Sequence, residues 1–376
     1  MLPLLHPVLL TMAAVRAKDN PFRVVTNIPG RMPSNVYSAE VRASTSSAWV
    51  TSFVLQTIAR NASHAKDMSG GMGGCGYFQH LNGWSASWLN IEVDRGTSVQ
   101  VRVKRINGKP IVAARPHPAS AGIKVLSISE EGVVLHVPGT SRFMVDFDAG
   151  LDYTDTGPNY KGPPIHTFGI FVNPMLAIPN PVSDPTVTVV KAGEPIPGNL
   201  SPGSTLVFGP GVHHGPRDSN GFRIWDVPSD VRVFVRADAI LHAALKNTGG
   251  WGKDNITLIG YGTISGEDQD RCGSQHDTKC CSKNVSPQGL TLAGTHRSVI
   301  TGVTFVDFPN HHIIALATAC DTPSIFSNVK VWGWRANGDG LHVFGTWVVK
   351  DLFMRTQDDS MYTVTHRFIS KSQLGL

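Results

Sequence analysis

The sequence predicts an all-β protein in two parts, a β-sandwich followed by a parallel β-helix. Three observations carry this. Charged residues are only 16% of the chain while Gly (38) and Pro (25) are plentiful, which suits many short strands joined by turns. Apolar residues alternate with period two, and no helix-length amphipathic pattern interrupts them. Beyond about residue 180 the rhythm changes to short, similar units that return at roughly the length of one solenoid coil.

The first part, 18–180, is read from alternating runs. Tyr37-Ser38-Ala39-Glu40-Val41-Arg42, Leu89-Asn90-Ile91-Glu92-Val93 and Ser98-Val99-Gln100-Val101-Arg102-Val103 each place every second residue on one face. Val133–Val137 and Phe168–Val172 add two short apolar runs. This pattern predicts an antiparallel sandwich, with Asp94-Arg95-Gly96 and Ile106-Asn107-Gly108 as hairpin turns. The glycine-rich stretch Ser69–Gly76 has no Gly-Lys-Ser/Thr and so reads as a loop, not a phosphate cradle. Pro174, Pro179, Pro181 and Pro185 then mark a linker, and the second part, 181–376, begins there.

In that second part, Thr205–Phe208, Val231–Val235, Asn255–Leu258, Ser298–Ile300 and Asn328–Val331 look alike. Several are followed by a glycine corner and a second apolar run, as in Gly260-Tyr261-Gly262-Thr263-Ile264 and Gly302-Val303-Thr304-Phe305. Stacked parallel coils need such short strands and tight corners. The chemistry-bearing stretch lies near the end of this series. Asn337-Gly338-Asp339-Gly340 is followed by Gln357-Asp358-Asp359-Ser360, so Asp339 precedes Asp358 by 19 residues and Asp359 by 20. One coil is about that long, and stacked strands lie ~4.8 Å apart. Asp, Asn and Gly are also ordinary turn residues, but two such motifs one coil apart put three carboxylates on one patch. Like charges so close do not all ionise normally, so one of the three is expected to stay protonated near neutral pH, as acid–base hydrolysis requires.

Both parts and both Asp motifs together resemble the inverting glycoside hydrolases of the dextranase–isopullulanase family (glycoside hydrolase family 49), related to polygalacturonases. The resemblance spans residues 20–365 and is most specific over 325–364. It implies a sandwich joined to a right-handed parallel β-helix, with Asp339, Asp358 and Asp359 catalytic: Asp358 as general acid, Asp339 and Asp359 positioning and deprotonating the attacking water. Inversion leaves ~6.5–9.5 Å between acid and base. The implied substrate is an α-glucan of dextran type. Alternatives are a polygalacturonase-like pectin hydrolase and a non-catalytic carbohydrate-binding protein on the same scaffold. Family members continue for several further coils, whereas this sequence ends at Leu376, 17 residues after Asp359, so a C-terminally truncated helix is expected.

Around the aspartates, Asn337 and Gln357 either orient the carboxylates or cap turns. Trp332 and Trp334, two residues apart on one strand face, are candidate sugar-stacking rings. His311, His312 and His342 read as structural. No cofactor and no metal is called for. Cys272-x3-His276-x3-Cys280-Cys281 lacks the paired knuckles of a structural zinc site, and with Cys75 and Cys320 it reads instead as disulfide chemistry of undetermined pairing. Residues 1–17 resemble a signal peptide, with an apolar run from Leu2 to Val15 and small residues beyond it. With the sequons at Asn61, Asn199, Asn255 and Asn284, this points to a secreted glycoprotein. The net charge of +5 is scattered, with no basic run interleaved with aromatics, so nucleic acid is not an expected partner. No other apolar run is long enough for a membrane span, and a monomer acting on polysaccharide is expected.

Overall fold

A computed structural model of the chain describes residues 20–59, 81, 83–148, 165–247, 256–269, 287–295, 297–316, 323–335, 337–364 and 369–370. The expected leader at 1–17, the sequons at Asn61, Asn255 and Asn284, all five cysteines and His276 lie outside these residues. No α-helix occurs among the described residues, so none is long and apolar enough to cross a membrane.

The N-terminal part is two packed sheets. One has five strands in the order Val50–Ser52, Tyr37–Ala43, Val99–Arg105, Gly132–Val137, Lys124–Ser129. The other runs Phe22–Val24, Ser85–Val93, His166–Pro174, Ser141–Phe147, Ala114–His117, with Leu55–Ile58 also pairing to Ser85–Val93. Alternation is clean where only one face is buried. In Tyr37–Ala43, residues 37, 39, 41 and 43 are buried and those between are partly exposed. Val41, Val101, Leu135, Leu89, Ile170 and Phe143 meet in the core between the sheets.

Two expectations are corrected here. The sheet is not wholly antiparallel, because His166–Pro174 runs parallel to Ser85–Val93 over nine residue pairs. Nor are Asp94–Gly96 and Ile106–Gly108 hairpin turns: the strands flanking each belong to different sheets. Turn residues specify a change of direction, not which sheet receives the next strand.

After Pro174 closes the last sandwich strand, the first solenoid strand begins at Val187. Three parallel sheets follow, each collecting one strand per coil. The first face runs Val187–Val190, Thr205–Phe208, Arg232–Val235, Thr257–Gly260, Val299–Thr301, Ser324–Ser327, Trp347–Lys350 and Ile369–Ser370. The second runs Gly211–His214, Ala239–His242, Thr263–Ser265, Thr304–Val306, Lys330–Trp332 and Phe353–Arg355. The third runs Ile224–Asp226, Ala244–Asn247, Leu290–Ala293, Ile313–Leu316, Leu341–Phe344 and Met361–Val364. Register aligns like with like. Leu206, Val233, Leu258, Ile300, Phe326 and Val349 stack inward along the first face. Leu245, Leu290, Ile313, Leu341 and Met361 do so along the third. Each coil thus buries its apolar residues against its neighbours, as a solenoid must.

The sandwich is packed onto the second face. All nine residues of Ser85–Val93 are buried because the strand has a core on each side. Leu89, Ile91 and Val93 point into the sandwich, while Ala86 and Trp88 point at the solenoid. Trp88 stacks on Trp332 at 5.9 Å, and Phe171 and Phe353 close around the same ring. Lys330 enters this seam fully buried, donating to the Asn173 side-chain oxygen at 3.0 Å and the Gly302 carbonyl at 2.8 Å. Burial holds its ammonium pKa well below the usual lysine range.

Candidate active site

The turns that lead from the second face to the third carry the polar chemistry of the solenoid. Two of them contain the Asp motifs. Asp339 lies just before Leu341–Phe344, and Asp358 and Asp359 lie just before Met361–Val364, the next strand of the same sheet. The two turns are tied backbone to backbone. Gly340 N–H donates to the Asp359 carbonyl at 2.8 Å and Leu341 N–H to the Ser360 carbonyl at 3.1 Å. A Cβ at Gly340 would sit 2.3 Å from that Ser360 oxygen. The final glycine of Asn-Gly-Asp-Gly therefore lets the second motif approach the first.

One carboxylate oxygen from each of Asp339, Asp358 and Asp359 comes within 4.8 Å of the others. The three are closer than the ~6.5–9.5 Å expected between acid and base, because the motifs sit one strand spacing apart. Their surroundings differ sharply. Asp339 is buried, at 6% exposure, whereas Asp358 and Asp359 face solvent. Asp358 Oδ1 accepts the Asp359 N–H at 2.9 Å, and Thr356 Oγ1 donates to the Asp358 carbonyl at 2.8 Å. The exposed pair is thereby held in a defined turn.

Histidine surrounds Asp339: of the three residues expected to be structural, His311 and His342 reach its carboxylate and His312 holds its backbone carbonyl. His342 Nε2 lies 2.7 Å from Asp339 Oδ2. A carboxylate only accepts, so that nitrogen carries the proton. His311 Nδ1 lies 3.0 Å from the other oxygen, off the line of an ideal hydrogen bond, and its ring stacks on His342 at 4.4 Å. His312, fully buried, grips the Asp339 carbonyl with both its backbone N–H (2.8 Å) and its ring Nδ1 (2.9 Å). Burial pushes the His312 imidazole pKa down, toward the neutral ring. Burial alone would raise the Asp339 carboxyl, but the hydrogen bonds and charges of His311 and His342 outweigh it and hold it well below the usual carboxylate range. The carboxyl expected to stay protonated is thus not Asp339. The signals for these histidines were the three-residue step from Asp339 to His342 and a His pair one coil earlier.

A depressed folded-state pKa has a defined pH consequence. Asp339 stabilises the fold at pH values above its unfolded pKa of about 3.9, and that contribution is lost as pH falls toward the folded value. Replacing His342 by Ala removes a donor, so the Asp339 pKa should rise by about one unit. The shift is read from the Asp339 side-chain carboxyl carbon in a ¹³C NMR pH titration, and His342→Gln, which keeps an N–H donor, should restore much of the original value.

The remaining predicted residues are placed as follows. Asn337 adopts a left-handed backbone (φ +57°) in the turn before Asp339, a conformation Asn tolerates, and Gln357 is half-buried in the turn with Asp358. Sugar stacking by Trp332 and Trp334 is corrected. Both rings are 1% exposed and lie in the seam with the sandwich, Trp332 against Trp88 and Trp334 under the Arg355 guanidinium. Among the described residues, Tyr362 is an exposed ring beside the site, 5.0 Å from His342 and 45% accessible. The His311, Asp339 and His342 donor atoms also lie within 4.8 Å of one another and have the composition of a cation site. Occupying it would require giving up the His342–Asp339 hydrogen bond.

No family model matches the chain, and no curated protein matches it. Among solved structures it is similar to Dex49A from Penicillium minioluteum, with a TM-score of 0.67 at 20% identity over 90% of this chain. The match covers 65% of Dex49A, so this chain spans a little under two thirds of that length. A weaker likeness, with a TM-score of 0.36 at 13% identity, is to the family 28 exopolygalacturonase of Yersinia enterocolitica, over 72% of this chain and 63% of that one. What the chain shares with Dex49A is the fold, and the match is long enough to take in both the sandwich and the solenoid.

Proposed function

We propose that this protein is a glycoside hydrolase that cleaves α-1,6-linked glucan of dextran type with inversion. The observation that carries the reading is the convergence of Asp339, Asp358 and Asp359 from adjacent coils. The fold shared with Dex49A and the Asp spacing of the dextranase–isopullulanase family support it. Asp358, exposed and held by the Asp359 N–H, protonates the glycosidic oxygen. Asp339, kept ionised by its histidines, and Asp359 hold the attacking water, and Asp359 takes its proton. Two oxygens within 4.8 Å can both accept from a single water at ordinary hydrogen-bond length. This geometry admits water as the nucleophile, although the carboxylates stand closer than is usual for inversion, and the inverting assignment rests on the Asp spacing that resembles the dextranase–isopullulanase family. Asp339 is also too enclosed to reach a sugar carbon. Tyr362 supplies the aromatic face to the sugar. The apolar N-terminus supports secretion, and a single chain suffices for this chemistry.

The test is incubation with dextran and, in parallel, with polygalacturonate, counting new reducing ends. Release from dextran alone is expected. Release from polygalacturonate alone moves the assignment to a pectin hydrolase. No release from either, with dextran still bound, leaves a carbohydrate-binding protein.

A further inference from the structure

A second polar cluster stands apart from the carboxylates, on the first three coils. His214 ends the strand Gly211–His214 and pairs in register with His242, which ends Ala239–His242. Their rings stack at 5.4 Å, 16° from parallel. The Asp268 carboxylate sits against both, 3.5 Å from His242 Nδ1 and 3.7 Å from His214 Nδ1. It accepts a 2.7 Å hydrogen bond from Arg223 Nε. Burial would raise the Asp268 carboxyl, but His242 and Arg223 outweigh it and bring it to about 2.

The cluster is ordered yet unfinished. Arg223 N–H donates to Gln269 Oε1 at 3.0 Å, and Arg223 Nη1 reaches the Gly215 carbonyl at 3.2 Å. Nevertheless, among the described residues, the buried His242 Nδ1 and Gln269 Nε2 have no aligned hydrogen-bond partner. Buried polar atoms without well-aligned partners are costly, and the His242 ring lies against the half-exposed ring of His214. Donors, an acceptor and an imidazole face converge on one spot, which is what the hydroxyls and C–H face of a sugar ring need.

Its charge and position narrow the ligand. Arg223 is matched by Asp268, and the other cation near His214, Arg217, is exposed and donates to the Gly221 carbonyl, so among the described residues an uncharged sugar fits the enclosed part of the cluster best. Asp268 belongs to the same series of turns as Asp339, two coils earlier, and the two histidines lie one and two coils beyond it. At ~4.8 Å per coil the cluster centre stands roughly 15 Å from the carboxylates. A hexose in a glycan advances by about one such step, so the separation is about three sugar units. We infer that Asp268, His214, His242 and Arg223 form a distal subsite for an uncharged sugar of a chain that also reaches Asp339, Asp358 and Asp359. This rests on the glucan-hydrolase reading above and extends it to a long, neutral substrate.

The test is calorimetric binding of α-1,6-gluco-oligosaccharides of three and of about eight units to the Asp358→Asn protein. The longer chain should bind about tenfold tighter, the worth of one or two good hydrogen bonds. Adding His214→Ala should bring the ratio close to one without changing Tm, and adding Asp268→Asn should do the same with a lower Tm, because it gives up the ion pair with Arg223. Equal affinity for the two lengths, or a preference indifferent to both substitutions, overturns the subsite. An oligogalacturonide whose binding depends on His214 overturns the neutral-sugar assignment. If the unsubstituted protein does not cut dextran while the length preference and its loss persist, the hydrolase reading fails and the subsite stands.

Discussion

Asp358→Asn should lower kcat on dextran by about 10²–10⁴, the usual loss when a general acid is removed. Affinity for the glucan should stay within about twofold. The substitution is nearly isosteric, and Asn Oδ1 still accepts the Asp359 N–H that orders this turn. Because the side chain is exposed, stability should change by no more than about 0.5 kcal/mol. Melting curves and dextran binding therefore serve as controls beside the rate. Full turnover in this variant would remove Asp358 from the chemistry. A loss of rate accompanied by a lower Tm would point to the turn instead.

The largest structural effect is expected at Trp332. Its ring lies between the two domains, stacked on Trp88 and enclosed by Phe171 and Phe353. It also fills the space beside Gly169, where a Cβ would stand 2.8 Å from the Trp332 ring. Trp332→Ala should cost about 3–5 kcal/mol through lost burial and the cavity left behind. Thermal unfolding would then come at least several degrees earlier. Because Lys330–Trp332 leads directly into the turn carrying Asp339, the rate should fall as well. Gly169→Ala tests the same seam from the other side and should destabilise in the same direction by a smaller amount. An unchanged Tm in Trp332→Ala would mean that the seam contributes little to holding sandwich and solenoid together.

The same tryptophan shows where sequence stopped being informative. The i, i+2 spacing of Trp332 and Trp334 correctly places both on one face of the chain, as both lie in the seam. It says nothing of what that face meets, and a second domain excludes water as thoroughly as a core does. The Asp motifs were legible for a local reason. A carboxylate bracketed by glycines, and an Asp-Asp pair one coil later, keep their meaning whatever the rest of the chain does. The histidines were not legible in that way. His311 and His312 reach Asp339 only because one coil stacks on the next, a contact between residues 28 and 27 positions apart. Repeat units such as Val231–Val235 and Asn328–Val331 announced parallel coils through their rhythm. The sandwich was legible as alternation but not as topology. The parallel pairing of His166–Pro174 with Ser85–Val93 joins strands with more than seventy residues between them, and no local pattern encodes such a pairing.

The central claim is that Asp339, Asp358 and Asp359 place a water, not a carboxylate, on the sugar. Following dextran hydrolysis by ¹H NMR from the first minutes reports this directly, through the anomeric proton of the newly released reducing end. Inversion of an α-linkage must release the β-anomer first, with the α-anomer appearing only as mutarotation proceeds. That order is the expected result. An α-anomer that appears first would mean a covalent glycosyl intermediate on one of these carboxylates, and would contradict the account.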